Sequence, residues 1–424
     1  MRSKELKAKL LGGALAEYRQ IYRDTEKQTE RFIGVIEAFE ERYGDERDIS
    51  VFSVPGRSEI SGNHTDHNGG CVLAGAIDRD IVAVAAKNND GIIRIHSEGY
   101  PECEVRISEA DSQENFEYYT SRALIGGVVR GFSDRGRSVG GYDAYFTSQV
   151  LRGSGLSSSA AYEVMVGNIL NHLYNGGVIE NTEIARIAQY SENVYFGKPC
   201  GLMDQMACAV GGFVYIDFDE AESPKTESIN MSLYDAGYTM CIVNTHGSHA
   251  DLNDDYSAIP KEMKSVARLL GRETLRSLTE EDIIKNLSNI RRLVGDRAVL
   301  RALHFLRENE RVIKIKEALK NGNLPEFLRG VSESARSSFE FLQNVYSPAN
   351  VKEQGLSLAL ALTEGYLSGK GAVCRVHGGG FAGTIQVFLK NEHVEDYIKY
   401  MNSVFGDGSA EPFNVRGLGA VKLF

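Results

Sequence analysis

The sequence of 424 residues contains no tryptophan, only six cysteines and no long apolar run. The cysteines form no C-x-x-C pair, which disfavours a disulfide scaffold or a zinc ribbon and favours reduced thiols. No apolar run approaches the ~18 residues that a membrane helix needs. At the N terminus, the charged helical pattern continues past the short apolar stretch 10–16, so we expect no export and a cytoplasmic protein.

The chain also has fewer positively charged than negatively charged residues. Lys and Arg total 47 against 58 Asp and Glu, which gives a formal net charge of −11. An acidic surface repels phosphate backbones and anionic lipids, so we expect neither nucleic acid nor a membrane as a partner. A local basic pocket for a small phosphate is compatible with this charge. The length suits two domains, and 42% apolar and 25% charged residues are ordinary globular composition.

The secondary-structure pattern comes in blocks. Residues 1–49 have apolar positions at helical spacing, and 260–345 are mostly helical in pattern. Strand-like runs occur at 51–54, 81–84, 92–95, 211–218, 238–244, 372–376 and 384–389. Without regular alternation of strands and helices, this favours an α+β fold, with the polar stretch 219–228 as a candidate domain boundary.

A glycine- and serine-rich loop gives the strongest local signal. It comprises Gly153, Ser154, Gly155, Leu156, Ser157, Ser158 and Ser159, and a helical pattern follows it. Glycines allow close backbone approach, and a helix start offers free N–H groups and a positive dipole end, which suits a di- or triphosphate. A plain helix cap with a flexible turn is the alternative. The loop is neither a Walker loop nor a dinucleotide fingerprint.

A polar cluster spans residues 55–70, after the first strand-like run. One Arg, one Glu, two His, one Asp and two Asn lie within it, which suits a polyhydroxylated ligand because a carboxylate such as Asp66 can accept from two vicinal hydroxyls. His64 and His67 as metal ligands, and a structural turn at Gly69 and Gly70, are the alternatives.

Two acidic residues and a glycine cluster are weaker signals. Asp204 lies among apolar neighbours and Glu192 lies twelve positions earlier. Taken alone, the first is most simply a helix cap and the second a solvated surface residue. The glycine-rich run 377–383 lies between two strand-like runs and fits either a hairpin or a ligand wall.

Together, these motifs resemble the GHMP small-molecule kinases. The loop G-S-G-L-S-S-S-A-A is typical of the superfamily, whereas His64-Thr65-Asp66 followed by G-L-M-D-Q at 201–205 is typical of the galactokinase branch. The resemblance implies an α+β two-domain fold, with a ribosomal-S5-like N-terminal domain at 50–225 and a ferredoxin-like C-terminal domain at 226–424. The active site would lie in the cleft between them, and residues 1–49 would be a helical extension.

The resemblance also implies roles for individual residues. Gly153, Ser154, Gly155, Leu156, Ser157, Ser158 and Ser159 would wrap the phosphates of ATP. Ser159 and Glu192 would hold Mg²⁺. Asp204 would be the catalytic base facing an anomeric hydroxyl, with Arg57 as the cation beside it. The sugar-binding site would be lined by Asn63, His64, Thr65, Asp66 and Tyr256. Because tryptophan is absent, other side chains must hold the adenine.

Two of the departures from the family pattern lie in the polar cluster. The family usually has Asn two residues after the arginine and Glu just before His-Thr-Asp, whereas this chain has Glu59 and Asn63. An amide can bond a hydroxyl and also tolerates a sugar carboxylate that Glu would repel. The leading hypothesis is an ATP-dependent galactose 1-kinase, because the residues expected as base, adjacent cation and metal ligands are all present. A kinase for a related sugar such as galacturonate and a non-catalytic sugar sensor are the alternatives.

Overall fold

The computed structural model describes residues 1–150, 155–220, 224–248 and 252–424. Its helices are α1 Ser3–Leu11, α2 Thr25–Tyr43, α3 Ser121–Asp134, α4 Ser158–Tyr174, α5 Asn181–Tyr190, α6 Met203–Val210, α7 Asn253–Leu269, α8 Glu280–Lys285, α9 Leu287–Val294, α10 Asp296–Lys320, α11 Leu324–Ser337, α12 Gly355–Tyr366 and α13 Val394–Phe405. Its strands are β1 Ser50–Ser61, β2 Cys71–Lys87, β3 Ile92–Ser97, β4 Cys103–Arg106, β5 Tyr142–Ser148, β6 Phe213–Asp217, β7 Lys225–Ile229, β8 Tyr238–Asn244, β9 Val373–His377, β10 Thr384–Lys390, β11 Ala410–Phe413 and β12 Val421–Lys422. Within these ranges, none of the helices combines the length and apolar content needed to cross a bilayer.

The chain forms two compact units, each discontinuous in sequence. The first unit comprises Met1–Arg57, Ala76–Gly212 and Arg416–Phe424, and the second comprises Ser58–Gly75 and Phe213–Val415. Strands β1 and β2 each begin in one unit and end in the other, a crossing that a linear reading of the sequence does not reveal. The domain boundaries expected at 49/50 and 225/226 differ from this division and stay a prediction about separately folding domains.

The first unit is built on a mixed sheet. Its strands follow the order β12-β1-β2-β5-β3-β4. Strand β2 pairs antiparallel with β5, and β3 pairs parallel with β5. Helices α3, α4, α5 and α6 pack against one another. Most of α4 is buried, which agrees with the apolar helical pattern at 161–174.

The predicted N-terminal helical segment is present and packs on the first unit. Apolar residues of α1 and α2 are buried with Val82 and Val84 of β2 and with Leu423 near the C terminus. The helical spacing of Phe32, Ile36 and Phe39 is therefore the spacing of a buried face. These helices cover sheet surface that would otherwise be exposed and apolar.

A buried acid ties this segment to the sheet. Asp80 of β2 accepts hydrogen bonds from Arg31 at 2.7 Å, Tyr22 at 2.5 Å and Arg416 at 3.3 Å. Burial acts to raise the pKa of Asp80, but the charges of Arg31 and Arg416 hold it below its ordinary value. One carboxylate thus joins α2, the sheet and the C-terminal segment.

The second unit contains a four-stranded antiparallel sheet in the order β11-β8-β10-β9. Strand β6 pairs with the start of β2 and with β7, and helices α7 to α11 pack together on the same unit. The candidate boundary at 219–228 falls within the β6–β7 hairpin, where Asp217 pairs with Lys225. Strand β7 therefore begins within this stretch, and a boundary between separately folding domains there stays a prediction. Mixed helices and sheets without regular alternation confirm the α+β class.

We expect Asp80→Ala to lower the free energy of unfolding by about 3–5 kcal/mol, because it leaves the buried guanidinium of Arg416 without its counter-charge. Urea unfolding followed by circular dichroism measures this change. The control is Glu46→Ala, since Glu46 is 92% exposed, and we expect it to change stability by less than about 0.5 kcal/mol. Equal effects of the two substitutions would contradict the role of Asp80.

Candidate active site

The predicted base and its predicted cation are in direct contact within the first unit. The Nε and Nη2 atoms of Arg57 donate to Oδ1 and Oδ2 of Asp204 at 2.7 and 2.8 Å. Asp204 lies in the first turn of α6, and Arg57 lies within β1. We expected Arg57 in a loop, but β1 continues to Ser61 because its polar side chains find buried partners.

The Asp204 carboxylate is ionised at neutral pH. Burial acts to raise its pKa, but the charge of Arg57 and hydrogen bonds from Arg57 and Ser157 hold the pKa below its ordinary value. The positive end of the α6 dipole acts in the same direction. About a third of the side chain is exposed, so a substrate hydroxyl can reach the carboxylate.

The described part of the glycine- and serine-rich loop is tied to this pair. Arg57 Nη1 donates to the Gly155 carbonyl at 2.5 Å, and the Arg57 N–H donates to the Leu156 carbonyl at 3.2 Å. Ser157 has a left-handed backbone, with φ +62°, and its hydroxyl donates to Asp204. Ser158 begins α4, whose first N–H groups suit an anion. Gly153 and Ser154 lie outside the described residues.

The two residues expected to hold Mg²⁺ also meet. The Ser159 hydroxyl donates to Oε1 of Glu192 at 3.0 Å, and Lys198 Nζ lies 3.2 Å from the same oxygen. A carboxylate and a hydroxyl are the hard oxygen ligands that Mg²⁺ takes, with phosphates and water completing its shell. Among the described residues no group of three or more His, Cys, Asp or Glu could hold a metal. The donor set therefore fits an ion that arrives with a nucleotide.

A second buried acid adjoins Glu192, and the sequence analysis missed it. Gln205 Nε2 donates to Glu192 at 2.6 Å and lies 3.4 Å from Glu163 Oε2. In the described part of the chain, Oε1 of Glu163 and Oε1 of Gln205 are buried without a hydrogen-bond partner. Burial and the charge of Glu192 raise the pKa of Glu163 well above its ordinary value.

In the second unit, side chains of the polar cluster (55–70) donate hydrogen bonds to the glycine-rich run (377–383). Asn63 Nδ2 donates to the Gly378 carbonyl at 2.7 Å, and Tyr256 donates to the Gly380 carbonyl at 2.8 Å. His64 Nε2 lies 2.9 Å from the Gly379 carbonyl. Three predicted sugar residues thus bond three successive glycine carbonyls.

The glycines at this turn allow that approach. Gly380 has φ +85°, and a Cβ there would lie 2.0 Å from the Asn344 carbonyl. A Cβ on Gly379 would lie 2.7 Å from the ring of Tyr256. The sequence left a hairpin or a ligand wall open, and the structure shows the hairpin, because β9 and β10 pair antiparallel on either side of these glycines with His377 opposite Thr384. A ligand wall at the same turn stays a prediction.

The two departures from the family pattern touch each other. Asn63 Nδ2 donates to Glu59 Oε1 at 2.9 Å, so the carboxylate and the amide have exchanged places within one contacting pair. Arg375, which is fully buried, donates to the same Glu59 oxygen at 3.1 Å and neutralises it. Asn344 donates to the Asn63 oxygen at 2.5 Å. The Asn63 amide is therefore held on both sides.

The remaining sugar-loop residues differ in exposure. The Thr65 hydroxyl donates to the carbonyls of Gly62 and Cys71, and the residue is buried. Its direct sugar contact stays a prediction, and what it does here is fix the loop. About a quarter of the Asp66 side chain is exposed, with His67 Nε2 3.7 Å from its carboxylate. Burial lowers the pKa of His64, which is therefore neutral at pH 7.

A cavity of about 560 Å³ lies beside the start of α4, in the first unit. Its volume is within the range of small-molecule sites. Ser158 and Ser159 line one end. Five aromatic residues line it elsewhere: Tyr100, Tyr119, Phe146, Tyr162 and Phe196. They come from distant parts of the sequence, so no motif could have revealed them.

Family models match two parts of the chain, and curated relatives match most of it. The galactokinase galactose-binding signature matches residues 37–87, and the GHMP kinases N-terminal domain matches residues 123–212. A galactokinase of Streptomyces coelicolor is 30% identical over 378 residues, covering 87% of this chain and 92% of the relative. A galactokinase of Glaesserella parasuis is 31% identical, covering 84% and 89%.

Solved structures share the fold. Lactococcus lactis galactokinase, complexed with galactose, superposes with a TM-score of 0.75 at 22% identity, covering 91% of this chain and 98% of that chain. Methanococcus jannaschii mevalonate kinase gives a TM-score of 0.61 at 14% identity, covering 88% and 99%.

We expect Glu163→Gln to gain stability relative to wild type as the pH rises from about 5 to 8. The folded chain keeps the Glu163 proton after the unfolded chain has released it. Wild-type stability therefore falls by up to about 1.4 kcal/mol per pH unit through this group, whereas glutamine has no proton to release. Urea unfolding of both proteins across this range measures the difference, and a difference independent of pH would show that Glu163 is ionised in the folded chain.

Proposed function

Because the chain belongs to the galactokinase family of GHMP kinases and is therefore a sugar kinase, we propose that it phosphorylates galactose. The γ-phosphoryl group of ATP passes to the anomeric hydroxyl, giving galactose 1-phosphate and ADP. The observation that carries the proposal is the doubly hydrogen-bonded pair of Arg57 and Asp204, tied to the loop that precedes α4.

Asp204 is proposed to act as the general base. It accepts the proton of the anomeric hydroxyl while that oxygen bonds the γ-phosphorus and the bond from the γ-phosphorus to the bridging oxygen breaks. Such help contributes roughly 10²–10⁴-fold. Arg57 keeps Asp204 ionised and places positive charge beside the phosphoryl group, where negative charge is redistributed.

The nucleotide is proposed to bind along the start of α4. The first N–H groups of α4 bind phosphate oxygens, and Ser158 adds a hydroxyl donor. Ser159 and Glu192 would hold Mg²⁺, which neutralises phosphate charge when it is bound. Positioning accounts for much of the rate in this chemistry, since phosphoryl transfer needs little covalent help from the protein.

The adenine is proposed to occupy the aromatic cavity. Its tyrosine and phenylalanine side chains give flat apolar surfaces for a purine, while Ser97 and Glu98 add polar groups to the lining. The cavity shares Ser158 and Ser159 with the phosphate-binding helix start, so the base and the phosphates of one nucleotide can bind side by side. Tyrosines replace the tryptophan that the chain lacks.

The sugar is proposed to bind at the Asn63 loop, with Asp66 accepting hydrogen bonds from two vicinal hydroxyls. Galacturonate carries a carboxylate of its own, which would lie near that of Asp66 and would need a cation beside it. The buried guanidinium of Arg375 is already paired with Glu59, and Asn63 uses its amide on Glu59, Gly378 and Asn344. This arrangement favours the neutral sugar.

We expect ADP formation with galactose, at a kcat/KM at least about 10²-fold above that with galacturonate, because burying an unpaired carboxylate costs several kcal/mol.

We expect Asp204→Asn to lower kcat by about 10²–10⁴-fold while galactose and ATP still bind. A coupled ADP-release assay with a sugar panel measures the first result, and isothermal titration calorimetry checks binding by the variant.

The control is Asp134→Asn, which changes an exposed carboxylate of α3 and should leave turnover unchanged. Absence of turnover on every hexose, uronate and pentose would reject the proposal. Sugar binding without ADP formation would favour the sensor, and a preference for galacturonate would move the substrate to the acidic sugar.

For the adenine cavity, we expect Tyr119→Ala to raise KM for ATP by about 10-fold with little change in kcat, because stacking on a base contributes roughly 1–3 kcal/mol. Steady-state kinetics with varied ATP test this. The control is Tyr118→Ala, since Tyr118 is exposed and lies outside the lining of the cavity. An effect of equal size at both positions would place the adenine elsewhere.

A further inference from the structure

Lys198 lies against the residues expected to hold the metal, and the proposed function gives it no role. Its Nζ atom is 3.2 Å from Oε1 of Glu192, the same oxygen that accepts the Ser159 hydroxyl at 3.0 Å. The main chain fixes this placement, because the Lys198 N–H donates to the Glu192 carbonyl at 3.0 Å and Gly197 turns the chain with φ +81°.

The two partners differ sharply in exposure. The Glu192 side chain is 3% exposed, whereas that of Lys198 is 57% exposed. A buried carboxylate needs a counter-charge or several donors, and Lys198 supplies the charge from the solvent side. Exposed ion pairs usually contribute little, but here one member is buried. Among the described residues, Lys198 is the one cation that forms an ion pair with Glu192, so its loss removes that counter-charge.

The position of the ammonium group bears on metal binding. Lys198 and Ser159 share Oε1 of Glu192, so a divalent ion held by Ser159 and Glu192 would compete with the ammonium for that oxygen. Like charges close together repel, so binding of the ion would favour release of Lys198. A flexible, half-exposed lysine can leave the carboxylate.

The other cation of the site is held in place. Arg57 donates to both oxygens of Asp204 and to the Gly155 carbonyl. Lys198 has one flexible contact with Glu192 and also lies close enough to Asp204 to help lower the pKa of that acid. Once released, its ammonium group lies next to the start of α4, where the phosphates are proposed to bind.

We propose that Lys198 is a movable cation of the phosphoryl-transfer site. It neutralises Glu192 when no metal is bound and binds phosphate oxygens of ATP once the metal takes Glu192. This inference rests on the proposed function. Lysine suits the role because its ammonium is a compact charge with three donors that binds phosphate without fixed geometry.

The first test measures thermal unfolding of Lys198→Met without nucleotide, in EDTA and then with increasing Mg²⁺. We expect its Tm in EDTA to lie a few degrees below that of wild type, because Glu192 has lost its counter-charge. We expect Mg²⁺ to raise the Tm of Lys198→Met more than that of wild type, since no ammonium competes for Glu192. The control is Lys9→Met, whose lysine pairs with the exposed Glu5; its Tm in EDTA and its rise with Mg²⁺ should match those of wild type.

The second test measures kinetics. We expect Lys198→Met to raise KM for ATP by about 10-fold or more, since a charge-assisted hydrogen bond to phosphate contributes roughly 1.5–3 kcal/mol. The Mg²⁺ concentration for half-maximal activity should fall. Lys198→Arg should keep KM for ATP within about 3-fold of wild type, because it preserves the charge.

The outcomes separate the two proposals. If wild type phosphorylates galactose while Lys198→Met matches it in both KM for ATP and Mg²⁺ response, Lys198 is only an ion-pair partner and the inference is overturned. If wild type phosphorylates no sugar, the proposed function fails whatever the variant does. If Lys198→Met does not fold, Lys198→Gln, with a shorter neutral side chain, repeats both measurements.

Discussion

The ion pair of Arg57 and Asp204 is the interaction on which the catalytic half of the molecule depends. A carboxylate can accept a proton from a sugar hydroxyl only if it is ionised, and burial opposes ionisation. The guanidinium reverses that effect by bonding both carboxylate oxygens. The same guanidinium bonds the Gly155 carbonyl, so the charge that keeps the proposed base ionised also holds a residue just ahead of α4, where phosphate is proposed to bind.

Neighbouring positions at the start of α6 serve two separate networks. Asp204 faces Arg57, while Gln205 bonds Glu192 and lies beside the buried acid of Glu163. One helix turn therefore orients both the base and the expected metal ligand. Burial and the charge of Glu192 raise the pKa of Glu163, which favours its neutral form and reduces repulsion among three neighbouring carboxyl groups.

In the second unit, the exchange of Glu59 and Asn63 changes where the negative charge lies. The carboxylate is withdrawn to Glu59, where Arg375 neutralises it, and the position before His64 carries a neutral amide. That amide is fixed by Glu59, Gly378 and Asn344. Two departures that look independent in sequence are thus one rearrangement, which keeps the charge balance of the buried cluster.

The sequence by itself determined the α+β class, most of the regular elements and the identity of the motifs, because periodicity and glycine or serine spacing are local properties of a chain. Through its resemblance to the GHMP kinases, it also predicted that Arg57, Ser159, Glu192 and Asp204 belong to one phosphoryl-transfer site. Only the tertiary structure decided which partners these residues have. The buried Glu163, the lysine on Glu192, the aromatic cavity and the contact between Glu59 and Asn63 bring together residues from separate elements. Burial and charge neutralisation act between such residues, and a linear pattern carries no record of those distances.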